Sequence, residues 1–130
     1  NSMNWESQPS LSADGKTLYF VRRVSKPGDM PNSDIFVSQL QEDGTWGMAK
    51  ALPSTINTPY LEESVLIHPD GKTLYFASRG HVGMGGSDLF VSRMDKLFFT
   101  DLCSDYFSVN PISLGVSFIF PFAIRSDKSE

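Results

Sequence analysis

Apolar residues along the first 95 positions come in short bursts rather than at helical spacing. Thr17, Leu18, Tyr19, Phe20 and Val21 are β-branched, aromatic or aliphatic without a polar alternate, which suits a strand covered on both faces. Ile35, Phe36 and Val37 repeat that texture, as do Leu89, Phe90 and Val91. Polar segments rich in Gly, Pro, Asp and Asn separate the bursts. This punctuation predicts strands near 7–12, 17–23, 34–40, 45–51, 63–68, 73–79 and 88–94. Sustained 3.6-residue periodicity is missing, so little helix is expected.

The pattern is written twice. "DGKTLYF" occupies residues 14–20 and returns at 70–76, an offset of 56. "SDIFVSQL" at 33–40 returns as "SDLFVSRM" at 87–94, an offset of 54. The difference falls in the loop between the cassettes, "RRVSKPGDMPN" in one copy and the shorter "SRGHVGMGG" in the other. Constant cassettes with a loop of variable length between them describe strands joined at a surface. The turns are legible as well. In "HPDG", Pro69 fits the second position of a type I turn, Asp70 the third, and Gly71 the left-handed position that follows. Asp14 and Gly15 do the same in "SADG", and "EDGTW" at 42–46 leads into a weaker strand at 46–51. The expectation is an all-β chain with about two four-stranded antiparallel blades of an incomplete β-propeller, although the period somewhat exceeds the ~40–50 residues usual for blades. Blade 1 covers about 5–52 and blade 2 about 61–95.

The repeat stops after Asp95, where another "DG-x-W" turn and a fourth strand are due. Residues 96–130 match no part of it. The run "ISLGVSFIFPFAI" is apolar, but it is shorter than the ~20 residues of a spanning helix and Pro121 interrupts it. The segment reads either as sequence foreign to the domain or as one or two strands that patch an open blade.

Composition narrows the function. With 130 residues, 40% of them hydrophobic and 20% charged, the chain suits one globular domain. A net charge of −4 and the absence of any Lys/Arg run argue against a nucleic-acid partner and against attraction to anionic lipid. Cys103 is alone, which leaves no intrachain disulfide framework and no cysteine metal cluster. The opening "NSMNWESQPS" lacks the basic and apolar regions of a signal peptide, and the chain reads as a piece of a longer protein.

Candidate chemistry is sparse. Glu62 and Glu63 are adjacent carboxylates, but neighbours on a strand point to opposite faces, so a solvated strand entry is expected. Ser64, His68 and Asp70 carry the letters of a triad without a nucleophile elbow or an oxyanion loop. His68, His81 and Glu63 are of metal-ligating type, yet the two histidines read as exposed loop residues. "GHVGMGG" opens no helix and so lacks the geometry of a phosphate cradle. Asp34 and Asp88 recur after Ser and before a strand, where a carboxylate would accept backbone N–H groups and fix a loop. Asp14, Gly15, Asp34, Asp70, Gly71 and Asp88 are therefore expected to be structural, with no catalytic residue, cofactor or metal. The aromatic pairs Tyr19/Phe20 and Tyr75/Phe76 read as packing between blades.

The segments "ES-x-P-x-L-S-x-DGKTLYF", "SD-I/L-FVS", "EDGTW", "INTPY-x-EES" and "HPDGKTLYFAS" together resemble the WD40-like propeller repeats called PD40, related to the TolB propeller. Their wording is similar to repeats in OmpA-family envelope proteins of Bacteroidetes-type bacteria. The resemblance covers residues 5 to about 95. It implies a periplasmic, outer-membrane-associated, non-catalytic interaction or scaffolding module that reaches the envelope through domains outside this chain, with a protein partner it does not name. Leu61 departs from the pattern, where the family usually has an acidic residue, and so does everything after Asp95. The alternative is the propeller portion of a hydrolase, of prolyl-oligopeptidase or sialidase type, whose catalytic part lies elsewhere. "SADGKT" misses the sialidase Asp box by one residue. A closed propeller needs more blades than this chain carries, so bare faces and self-association are expected unless the tail from Lys96 covers one.

Overall fold

The computed structural model describes residues 4–26, 28–94 and 107–112. They form two four-stranded antiparallel sheets, and no helix occurs among them. The first sheet has the order β1 (Glu6–Leu11), β2 (Thr17–Arg23), β3 (Ser33–Gln39), β4 (Lys50–Ala51). The second has β5 (Glu62–Ile67), β6 (Thr73–Ser78), β7 (Asp88–Met94), β8 (Phe107–Ile112). Both are simple meanders, and neither closes on itself.

The repeat in sequence is a repeat in hydrogen bonding. Thr17 faces Gln39 and Phe20 faces Phe36 in the first sheet, while Thr73 faces Arg93 and Phe76 faces Phe90 in the second. Each opening hairpin carries an irregularity of one extra residue near its start, between Ser7 and Ser10 and between Glu62 and Ser64. In the first, Gln8 takes the left-handed φ of 52° that such a bulge can impose. Beyond the irregularity the registers agree again, with Ser10 opposite Tyr19 and Leu66 opposite Tyr75.

The fourth strand is weaker than its expected span of 46–51. Only Lys50 and Ala51 join the ladder, against Val37 and Phe36, and a lone bridge links Leu40 to Trp46. The reason is local: Met48 is 89% exposed and both ladder residues are exposed, so no buried face holds the segment flat. In the second copy, β8 pairs along β7 from Leu89 to Met94, where the fourth strand is due. The expectations for 96–106 and 113–130 lie outside the described residues.

The turns that open each sheet are built alike. The N–H of Gly15 donates to Ser12 O and that of Gly71 to His68 O, both at 2.9 Å. The φ values are 71° and 66°. A Cβ at either glycine would meet nothing within 4 Å, so glycine is needed here for its backbone angle and not for space.

The two sheets bury opposite faces. In the first, Tyr19, Val21, Ile35 and Val37 turn inward, all at 5% exposure or less. In the second, the inward residues of β6 and β7 are Leu74, Phe76 and Phe90, each at 1%. Tyr19 and Tyr75 hold equivalent places in the repeat, yet Tyr19 is buried and Tyr75 is not. Phe76 is buried, and its equivalent Phe20 is only part-buried. β5 runs across the first sheet in contact with β1, β2 and β3, adding Val65 and Ile67 to the same core. Leu52 and Ile56 from the linker between the sheets complete it.

One buried group marks where the copies part. Ser38 Oγ donates to Gly47 O at 2.7 Å, in the stretch after the "EDGTW" turn. Its equivalent Ser92, fully buried, has no partner for its Oγ among the described residues, and the sequence after it does not repeat the "EDGTW" segment. An unmet buried hydroxyl costs about 1–3 kcal/mol, whereas a made bond contributes about 1 kcal/mol. Ser92→Ala should therefore be neutral or stabilising, and Ser38→Ala should destabilise by about 1 kcal/mol, both read from urea denaturation midpoints. By the same measurement, Gly71→Val should cost about 1–2 kcal/mol, the strain of forcing a β-branched residue into a left-handed angle.

Candidate functional site

The carboxylates at the sheet-opening turns are fully engaged. Asp70 Oδ1 accepts the N–H groups of Lys72 and Thr73, both at 2.8 Å, and Oδ2 accepts Thr73 Oγ1 at 2.7 Å. These bonds, Thr73 Oγ1 foremost, hold its carboxyl well below the usual aspartate range. Asp14 likewise accepts Ser12 Oγ at 2.5 Å and the N–H of Lys16 at 3.0 Å, and its pKa is lowered, chiefly by the Ser12 bond. The loop carboxylates differ from each other. Asp88 Oδ2 accepts the N–H of Met84 at 2.9 Å and so fixes the 80–86 loop. Among the described residues no backbone N–H is bonded to the carboxylate of Asp34, whose own loop is two residues longer. Half-buried, its carboxyl is pushed up by desolvation.

Glu62 is buried and held by several hydrogen bonds, which overturns the expectation of a solvated strand entry. It has 0% exposure. Its carboxylate accepts Thr58 Oγ1 at 2.7 Å, the Thr58 N–H at 3.2 Å and Ser78 Oγ at 2.9 Å, and its backbone O accepts Ser33 Oγ at 2.7 Å. The irregularity at the start of β5 turns this side chain into the space between the sheets, where the linker closes over it. Burial pushes its pKa up and the nearby Asp34 charge adds to this, against the lowering pull of the Thr58 and Ser78 bonds. Glu63 points the other way, toward Arg79 at 2.8 Å and the Ser87 hydroxyl.

Three neighbours finish the junction. Asn57 pairs its side-chain amide with β3 like one more strand residue: Oδ1 accepts Ile35 N–H at 2.8 Å, and Nδ2 donates to Ile35 O at 3.0 Å and to Leu52 O at 2.9 Å. Gly80 lies so close to Thr58 that a Cβ would overlap its side chain. His81 is not a free loop histidine. Its ring packs 5.7 Å from Phe76 and 5.0 Å from Phe90, and Nε2 donates to Ile56 O at 2.8 Å. Asn57, Thr58, Gly80 and the burial of Glu62 escaped a reading by strand patterns. The only signal was the "INTPY" segment, polar side chains packed into a linker.

The described residues do not bring Ser64, His68 and Asp70 together as a triad. His68 is tied to Asp70 in the turn, whose N–H donates to Nδ1 at 3.2 Å, while Ser64 sits within β5 opposite Ala77. The two histidines lie at opposite ends of the second sheet. Among the described residues no three His, Cys, Asp or Glu side chains form a ligand set.

The surface beside the junction is of another kind. Trp5, Arg23, Pro31, Asn32, Ser33 and Leu61 line an open cleft of about 430 Å³ where the two copies meet. Asn32 Oδ1 is buried there with no hydrogen-bond partner among the described residues. The loops at the same end carry exposed apolar side chains: Trp5 at 66%, Met30 at 84%, Tyr60 at 58%, Val82 at 94% and Met84 at 82%. Met30 and Met84 are equivalent positions, each three residues before the "SD" that opens the following strand.

No protein-family model matches the chain, and no curated protein matches it.

The two classes of carboxylate give stability dependences of opposite sign. Asp70 has a lowered pKa, so its contribution is present above the unfolded aspartate range and is lost as pH falls. The destabilisation caused by Asp70→Asn should shrink on going from pH 7 into acid. Glu62 has a raised pKa, so its contribution is present in acid and lost as pH rises through its folded value. Glu62→Gln, which keeps the shape, should gain stability relative to the wild type as pH rises past the carboxylate range. Thermal melts of the three proteins across pH check both signs.

Proposed function

We propose that the two sheets are consecutive blades of a β-propeller and that the chain is a non-catalytic protein-docking module. The observation that carries the blade reading is the burial of opposite faces by near-identical repeats. A sandwich of two sheets related by a two-fold would bury the same face twice. Front-to-back packing buries one face in each copy and leaves the complementary pair outside, which is the arrangement of successive blades. The likeness of residues 5–95 to PD40 repeats supports the same reading, and with it a place in the periplasm, held to the envelope by other parts of the parent protein.

The docking role follows from where the exposed apolar residues lie. Both repeats spend their strand residues on packing and their turn carboxylates on the backbone, whereas the loop end presents Met30 and Met84 to water in register. Methionine suits a surface that must fit an irregular partner. The adjoining cleft adds the aromatic Trp5, the Arg23 cation and the unmet Asn32 acceptor.

Site-specific photo-crosslinking in the envelope tests this. A photoreactive residue at Met84 or Met30 should capture one protein partner, and the same probe at Lys16 or Lys72, at the opposite end, should not. Met84→Glu with Met30→Glu should remove the adduct made from a probe at Tyr60. Equal capture from both ends, or none from the loop end, would count against the proposal.

A further inference from the structure

Each sheet buries one apolar face, and among the described residues the other face of each stays part-open. The first sheet presents Leu18, Phe20 and Phe36, with the two rings stacked at 6.0 Å. The second presents Tyr75, Ala77, Leu89 and Val91. By repeat position these are the faces that already meet inside the chain. Leu18, Phe20 and Phe36 stand where Leu74, Phe76 and Phe90 stand, with identical residues. Tyr75 and Val91 stand where Tyr19 and Val37 stand, again identical, and Leu89 and Ala77 replace Ile35 and Val21.

We infer that two copies of this chain associate head to tail, the open face of the second sheet of one copy docking on the open face of the first sheet of the next. The internal junction is the template for this contact, and the inference rests on the blade stacking proposed above but not on the docking role of the loop end. The substitutions between template and copy shrink or reshape side chains without adding charge at these seven positions, so complementarity is retained at slightly lower volume. The aromatic pair is also covered in the same manner. Internally His81 sits on Phe76 and Phe90, and on the open face the Arg22 guanidinium lies 5.3 Å from the Phe20 ring and 4.5 Å from the Phe36 ring. Glu6, 2.7 Å from Arg22, neutralises that cation. The contact joins two different faces, so it does not close on itself in a dimer and adds further copies until a ring forms or the concentration limits growth.

Face variants of the full chain test this by sedimentation velocity over a concentration series. The wild type should show mass that grows with concentration beyond a dimer. Phe36→Glu spoils only the first-sheet face and Val91→Glu only the second-sheet face, so each alone should remain monomeric. Mixed together they retain one intact face each and should form a one-to-one dimer that grows no further. Circular dichroism melts verify folding, and Phe20→Gln with Leu89→Lys, at part-exposed positions, replace any variant that does not fold. Met30→Glu with Met84→Glu should leave the association unchanged, so a failure of loop docking would not mimic a failure of stacking. A full chain that is monomeric at every concentration would overturn the inference. So would a dimer that survives both face variants, an absence of dimer from the folded mixed pair, or loss of association in the methionine variant.

Discussion

The fold rests on the burial of the inward face of one sheet against the opposite face of its successor. Ile35, Ile56, Val21, Leu74, Phe76 and Phe90 each lose at least 99% of their exposure there. Burial of such side chains contributes about 1.5–3 kcal/mol apiece, an upper bound because an unfolded chain is already partly collapsed. Among the described residues neither meander has a second source of comparable size. Without this layer, β1 to β4 would be an isolated sheet whose fourth strand holds two ladder residues. The polar network is fixed by the same packing, which seals the Glu62 carboxylate among its Thr58 and Ser78 donors and brings Ser33 of the first sheet onto the Glu62 backbone O.

The linker between the repeats turns that packing into a fixed geometry. Apolar burial alone is non-directional and would let the sheets slide. Asn57 removes this freedom by bonding both the N–H and the C=O of Ile35, so the linker is in register with β3. Ser33 and Ser10 add bonds from the first sheet to the backbone of β5, at Glu62 O and at the Ile67 N–H. Glu62 then ties the linker to β6 through Thr58 and Ser78. A buried carboxylate is a costly way to make that tie, and its raised pKa expresses the cost. The three donors and the proximity of Gly80 to Thr58 leave no room for a looser arrangement.

Much of the fold was legible because it is written in local chemistry. The spans of β2 and β7 match the expected ones to the residue, and β1, β3, β5 and β6 to within one, since period, turn residues and β-propensity coincide in them, whereas β8 had no expected span. The all-β class follows from the same agreement. What the sequence left open was which face would be inside. Thr17 to Val21 are apolar on both sides, and that is a correct description, because one repeat buries the odd residues and the other the even ones. The junction was illegible for a different reason. Glu62 and Asn57 act through long-range partners, Ser78 sixteen positions away and Ile35 twenty-two. Strand periodicity carries no information about either. His81 was misplaced by the same route, because a glycine-rich loop gives no hint that two phenylalanines from separate strands will receive the ring.

Where the two copies differ, their neighbours differ, and this ties sequence divergence to packing. Glu6 and Glu62 are equivalent, and each faces its cross-strand partner in the same register: Arg22 for the first, Ser78 for the second. The first acid has no preceding repeat against it among the described residues. It keeps 22% side-chain exposure and forms an ion pair, which water and the arginine stem can accommodate. The second is sealed against the first sheet and takes its hydrogen bonds from Thr58 and from the Ser78 hydroxyl. A serine hydroxyl satisfies the carboxylate in less space and without charge. Within one chain, the change from Arg22 to Ser78 follows the exposure of the acid: an ion pair where the carboxylate keeps some exposure, a neutral hydroxyl donor where it has none.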